Sequence, residues 1–146
     1  MALDGGGGGG GPVGQSNSFT GKAEALEIIG DFAYAYNQSE MTNTPTTVFE
    51  FTTGNYLFVG QIEFVGPIRF EAAQVASGDV GGISITLGGN VIAYLKNEAG
   101  QEDQTQASRI SIIIPPYTDV KIESLNASDN STYIQSTAMT GRLYRD

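Results

Sequence analysis

The stretch Ile83-Ser84-Ile85-Thr86-Leu87-Gly88-Gly89-Asn90-Val91-Ile92-Ala93-Tyr94-Leu95-Lys96 decides the fold of this 146-residue chain. Ile83, Ile85 and Leu87 recur at every second position, the period of a strand with one buried face. Gly88-Gly89-Asn90 supplies turn chemistry, and Val91 to Lys96 then returns as a second β-rich run. The combination predicts a β-hairpin.

The same grammar extends in both directions. Downstream, a polar loop from Asn97 to Gln106 leads to Ser108–Ile114 (S-R-I-S-I-I-I), which stops at Pro115-Pro116, two residues that cannot donate to a ladder. Val120 to Leu125 resumes as a strand, Asn126 to Ser131 is a turn-rich loop, and a last strand runs from Tyr133 to Tyr144 with Gly141 as a bulge. Upstream, Thr47–Thr52 (T-V-F-E-F-T) and Tyr56–Val65 flank Gly54-Asn55 as a second hairpin. Gly66-Pro67 punctuates the next connection, and Ile68 to Val75 alternates less cleanly before the Ser77-Gly78-Asp79 turn. Phe32, Tyr34 and Tyr36 alternate with Ala33 and Ala35, which places aromatics on one strand face and small residues on the other. The one helical candidate, Ala23 to Ile29, is short and runs into Gly30-Asp31. About eight or nine short strands and no convincing helix predict an all-β fold, an antiparallel β-sandwich of jelly-roll type over residues 20–146. The apolar phase of each alternation assigns Phe32, Tyr34, Ile62, Phe64, Ile85, Ile110, Ile112, Val120 and Ile122 to the core.

Residues 1–19 read differently. Met1 and Leu3 form a small apolar head, followed by the unbroken run Gly5, Gly6, Gly7, Gly8, Gly9, Gly10 and Gly11, then Pro12, Val13, a Ser/Asn-containing stretch and Phe19. Glycine loses more backbone entropy on ordering than any other residue and buries no side chain, so such a run cannot order unaided. It is either a flexible linker or an arm that orders only against neighbouring subunits, where glycine permits close backbone approach. Both readings place it outside the core.

Composition bounds the function. Sixteen acidic and seven basic residues give a net charge of −9, and the cations are scattered, so neither a phosphate backbone nor an anionic membrane surface is an expected partner. No run approaches the ~20 apolar residues of a membrane span, and Met1 to Asp4 lacks the basic start and apolar stretch of a secretory signal. The expectation is a chain not exported by the general pathway. With no cysteine it has no disulfide framework, which is compatible with assembly in a reducing cytoplasm.

Histidine is also missing, which removes the commonest general base and metal ligand. No S-x-x-K or G-x-S-x-G pattern offers a serine nucleophile. Glu50 and Glu63 lie on strands that could face each other as a glycosidase pair, but solvated outward-facing residues are the simpler reading. The glycine run matches a dinucleotide fingerprint only trivially, and Gly21-Lys22 lacks the rest of a phosphate-binding loop. Glu102-Asp103 and Asp129-Asn130 supply oxygens that suit Ca²⁺, without the spaced loop such a site uses. The expectation is a non-enzyme without metal or cofactor.

Three segments, Ser18 to Tyr36 (S-F-T-G-K-A-E-A-L-E-I-I-G-D-F-A-Y-A-Y), Ile112 to Ile122 (I-I-I-P-P-Y-T-D-V-K-I) and Thr140 to Tyr144 (T-G-R-L-Y), carry a resemblance that spans nearly the whole chain. It resembles small virion structural proteins of tailed bacteriophages of the aquatic and marine type. The resemblance implies a β-sandwich capsid decoration, or cement, protein at the virion surface, assembled in the host cytoplasm. Its partners would be the major capsid protein and further copies of itself, with a homotrimer favoured. No functional residues transfer from that group, so the arm supplies the candidate contacts: Met1, Leu3, Gly5 to Gly11, Pro12, Val13 and Phe19. The rival reading is a fibre or receptor-binding module that recognises a host surface glycan, with the arm as its joint.

The arm reading predicts that deleting Met1 to Gly11 leaves the sandwich folded while weakening attachment to capsid shells. Co-sedimentation with shells checks this, because unchanged affinity and occupancy would reduce the arm to a spacer.

Overall fold

The computed structural model describes residues 26–145, and the candidate arm contacts between Met1 and Phe19 lie outside them. Nine strands form in chain order: β1 (Glu27–Ile29), β2 (Phe32–Met41), β3 (Thr46–Thr52), β4 (Leu57–Ile68), β5 (Val80–Leu87), β6 (Asn90–Glu98), β7 (Ala107–Ile114), β8 (Asp119–Asn126) and β9 (Tyr133–Tyr144). There is no helix among the described residues, and the helical candidate ends in β1 instead, where Ile29 pairs with Phe32 across the Gly30-Asp31 turn.

The strands make two antiparallel sheets, ordered β1-β2-β9-β4-β7 and β3-β8-β5-β6. Their pairing is nested: β5 with β6, β4 with β7, β3 with β8 and β2 with β9. One long antiparallel ribbon, folded at the Gly88-Gly89 turn and rolled so that successive pairs alternate between sheets, gives this order. It is the connectivity of a jelly roll, so the all-β sandwich expectation holds. The connections therefore alternate between two ends. Residues 53–56, 88–89 and 115–118 lie at one, and residues 42–45, 69–79, 99–106 and 127–132 lie at the other.

Between the sheets, Phe49, Phe58, Ile62, Phe64, Ile85, Ile114, Val120, Ile122 and Met139 are buried, and Ile112 is 7% exposed. Six of the nine predicted core residues are thus in place. Phe32 and Tyr34 are not, Phe32 being 60% exposed and Tyr34 half-buried, whereas Ile110 keeps the inward phase and packs against the core but is only partly buried. In β2 the phase is the reverse of the expectation, with Ala33 and Ala35 facing inward. The register gives the reason. Ala33 lies opposite Gly141 and Ala35 opposite Met139, where Phe58, Met139 and Leu143 already occupy the interior. Only small side chains fit there.

Two local expectations also change. Gly141 is not a bulge, because it stays in register with Ala33 on one side and Gly60 on the other. It is glycine because the backbones and the Phe58 ring leave no room: an added Cβ would stand 2.6 Å from Val59 O and 2.7 Å from Phe58 Cζ. Gly66-Pro67 does not end its strand either. The register against β9 shifts between Val65 and Ile68, and Ile68 then pairs with Ile134, so β4 absorbs the proline at an irregularity. Arg69 to Asp79 is loop, so the less clean alternation of Ile68 to Val75 does not make a strand of its own, and Glu71 sits there at φ 55°.

The inner face is not wholly apolar. On β9, Gln135 is fully buried and donates through Nε2 to Asn37 Oδ1 (2.8 Å) and Ser39 Oγ (2.9 Å) of β2. Ser39 Oγ donates to the same Asn37 Oδ1, and Thr137 Oγ1 donates to Gln135 Oε1. These mutual bonds remove the penalty of buried unpaired polar atoms.

Three substitutions test this packing by denaturant unfolding. Ile112→Ala should cost about 2 to 5 kcal/mol, and Phe32→Ala no more than about 0.5 kcal/mol. Gly60→Ala should cost about 1 to 3 kcal/mol, since its Cβ would stand 2.7 Å from Gly141 Cα and 2.8 Å from Phe58 Cζ. A large loss at Phe32 would show that the observed phase of β2 is wrong.

Candidate functional site: the outer face of the five-stranded sheet

With Ala33 and Ala35 turned inward, the aromatics of β2 must point outward, and the registers line them up with residues on every strand of the sheet. Ile29 pairs with Phe32, Phe32 with Arg142, Arg142 with Val59 and Val59 with Ile113. A single row therefore crosses all five strands, a width of about 19 Å at the usual strand spacing. Ile29, Phe32 and Ile113 are each at least 60% exposed, and Tyr36 and Tyr144 on the same face are also exposed. The Arg142 guanidinium lies 5.5 Å from the Phe32 ring centroid and 5.8 Å from that of Tyr144, cation–π distances on both. Its ion pair with Asp31 is loose, at 3.9 Å.

A second row lies beside the first. Tyr34 pairs with Thr140, Thr140 with Gln61 and Gln61 with Ser111. Tyr34 and Tyr36 contact each other with ring centroids 5.4 Å apart. The two rows border a shallow depression of about 530 Å³, walled by Phe32, Tyr34, Tyr36 and Arg142 and floored by Gln61, Ser111 and Thr140. Around the depression the face offers apolar and aromatic surface, the shared Arg142 cation and short uncharged polar groups, with Glu27 opposite Tyr34 at its β1 side and the Glu63/Arg109 pair farther along β4 and β7.

The candidate carboxylates lie elsewhere. Glu50 is exposed on β3 and Glu63 is on β4, in different sheets, each in the outward phase of its strand. The core separates them, so they cannot flank one glycosidic bond. Asp103 is occupied as a loop staple: Oδ1 accepts from Val75 N at 2.9 Å and Oδ2 from Arg69 Nη1 at 3.1 Å. Asp129 Oδ1 accepts from Asn126 Nδ2 and Ser131 N, both at 2.8 Å. Among the described residues no group of three or more metal-ligating side chains converges.

Those staples hold together the end that carries the long loops. Buried Tyr133 donates its hydroxyl to Asp79 Oδ2 at 2.7 Å, with Gln74 O at 3.2 Å and Asp129 Oδ2 at 3.3 Å. Burial, then the bond to Asp79, pushes the Tyr133 phenol up to about 12. For Asp129 burial acts to raise the pKa, but the hydrogen bonds from Ser131, Asn126 and Tyr133 outweigh it and hold the carboxyl below its ordinary value.

The arm contacts from Met1 to Phe19 lie outside the described residues, so the face above stands without them. It was missed because no local signal distinguishes an outward aromatic phase from an inward one when the alternate residues are alanines. No protein-family model matches the chain, and no curated protein is significantly similar to it in sequence.

Because the folded-state pKa of Tyr133 lies above its ordinary value of 10.0, its contribution to stability is complete below pH 10 and is lost as pH rises toward 12. Thermal melts from pH 8 to 12 should show this alkaline loss, and Tyr133→Phe should flatten it. That variant should also cost about 1.5 to 3 kcal/mol at neutral pH, because it removes a buried hydrogen bond to a charged group.

Proposed function

We propose that this protein is a non-enzymatic structural component of a bacteriophage virion, a decoration protein that docks on the assembled capsid shell through the outer face of its five-stranded sheet. The observation that carries the reading is the exposed row Ile29–Phe32–Arg142–Val59–Ile113 with Tyr36 and Tyr144 beside it. Large apolar side chains gathered on one face mark interaction surfaces. Aromatics and arginine with few other charges form the usual centre of a protein interface. A ligand that binds the assembled shell and not its free subunits stabilises assembly by mass action. The resemblance of Ser18–Tyr36, Ile112–Ile122 and Thr140–Tyr144 to virion proteins supports the same role.

A second reading rests on the neighbouring row. Tyr34 and Tyr36 beside Gln61, Ser111 and Thr140 pair flat aromatic surface with uncharged hydrogen-bonding groups, a chemistry that suits a saccharide. It favours a host-glycan-binding module.

Titration of capsid shells separates the two. The decoration reading expects saturable binding in proportion to the major capsid protein, weakened about tenfold or more by Phe32→Ala or Arg142→Ala. Binding to a glycan array that is abolished by Tyr36→Ala, with no binding to shells, would replace it by the second reading.

A further inference from the structure

The sandwich leaves four strands with one side unpaired: β1, β3, β6 and β7. An unpaired edge is a template for another strand unless something blunts it. Three of the four are blunted. β1 has three residues, β3 is broken by a register shift between Thr47 and Phe49, and β6 is paired irregularly at Ile85/Thr86 and tied at one end by Asn97. In contrast, β7 is regular. It pairs with β4 over eight consecutive positions, Ala107 to Ile114, without a shift. Among the described residues, none of its main-chain groups directed away from β4 is hydrogen-bonded within the chain.

From these features we infer that β7 is a self-association edge, and that its occupant is β7 of a second copy of this chain. Two identical strands pair antiparallel about a two-fold axis, so the contact is self-complementary and closes at two subunits, in place of the homotrimer that the sequence reading favours. Charge favours this edge over the others. The chain carries a net −9, and each of β1, β3 and β6 contains a glutamate, whereas β7 contains Arg109 and no carboxylate. Two strongly acidic chains repel least along that strand. Apolar surface lies there too: Ile113 is 61% exposed, Ile110 is half-buried, and Ile92 is exposed on β6, the strand beside β7. Pairing satisfies the open ladder groups and joins two five-stranded sheets into one of ten. The exposed row that ends at Ile113 then continues onto the second copy. The inference rests on the β7 edge alone and stands whether that face binds a shell or a saccharide.

Sedimentation equilibrium and light scattering of the full chain, from micromolar to millimolar concentration, test the inference. The expected mass is twice 15.4 kDa. Ser111→Lys, an outward-facing change on the edge, should weaken dimerisation about tenfold or more, because it places like charges across the new ladder. Circular dichroism verifies its fold, and Ile113→Lys is the substitute if it does not fold. Asn43→Lys, in the loop between β2 and β3, should leave the dimer intact. A monomer throughout the range, a trimer, or a dimer indifferent to the edge lysine would each overturn the inference.

Discussion

The architecture depends on β9, which is paired along its length on both sides, with β2 over ten residue pairs and with β4 over ten. A strand held on both edges cannot slip by one residue without turning every side chain to the opposite face. Its alternation therefore fixes the inward set Tyr133, Gln135, Thr137, Met139, Gly141 and Leu143. The neighbouring strands inherit their phase from it. Gly141 and Gly60 meet closely enough that the Phe58 ring fills the space their missing side chains leave. Beside them, the inward positions of β2 opposite Gly141 and Met139 take only Ala33 and Ala35. The exposed aromatic face is thus a consequence of interior packing. Room inside goes to Phe58 and Met139, and the rings of β2 are displaced outward.

That dependence explains how much of the fold was legible in the sequence. Turn pairs and period-2 runs are local, and they located the Gly88-Gly89 hairpin, the β7 run ending at Pro115-Pro116 and the long last strand. Phase is local only where one face is plainly apolar, as in Ile62/Phe64 or Val120/Ile122, and those assignments match the structure. In β2 both phases are hydrophobic. The choice between alanine and aromatic depends on partners more than 100 residues away in the chain, which no window of sequence contains. The proline of β4 misled for a related reason, since it marks either a strand end or a bulge, and the pairing with β9 makes it the latter.

The candidate site was less legible than the fold. Thr140 to Tyr144 and Phe32 to Tyr36 each read as framework by themselves, and only the registers bring Phe32, Arg142 and Val59 into one row. Conversely, the acidic loop residues that stand out in the sequence are consumed structurally. Asp79, Asp103 and Asp129 tie three long loops to one another and to Tyr133, accepting hydrogen bonds at 2.7 to 3.3 Å. Their conspicuousness reflects the cost of ordering loops of that length, which staples offset.

Magnitudes connect the exposed face to its mode of use. Completing the burial of a large apolar side chain is worth about 1.5 to 3 kcal/mol when it starts fully exposed. Ile29, Phe32, Tyr36, Ile113 and Tyr144 are already about two-fifths covered, so together they offer roughly 4.5 to 9 kcal/mol gross. Association itself costs about 4 to 15 kcal/mol in lost rigid-body freedom. One such face on one subunit therefore binds weakly. Two faces joined edge to edge meet a repeating surface differently, because the second contact forms at a high effective concentration and the affinities multiply by about 10² to 10⁴. A periodic shell rewards this arrangement where a solitary partner does not. Under the proposed shell binding and β7 pairing, the weak single face and the open edge complement each other, because the avidity of paired copies would supply what one 120-residue sandwich spanning residues 26–145 does not.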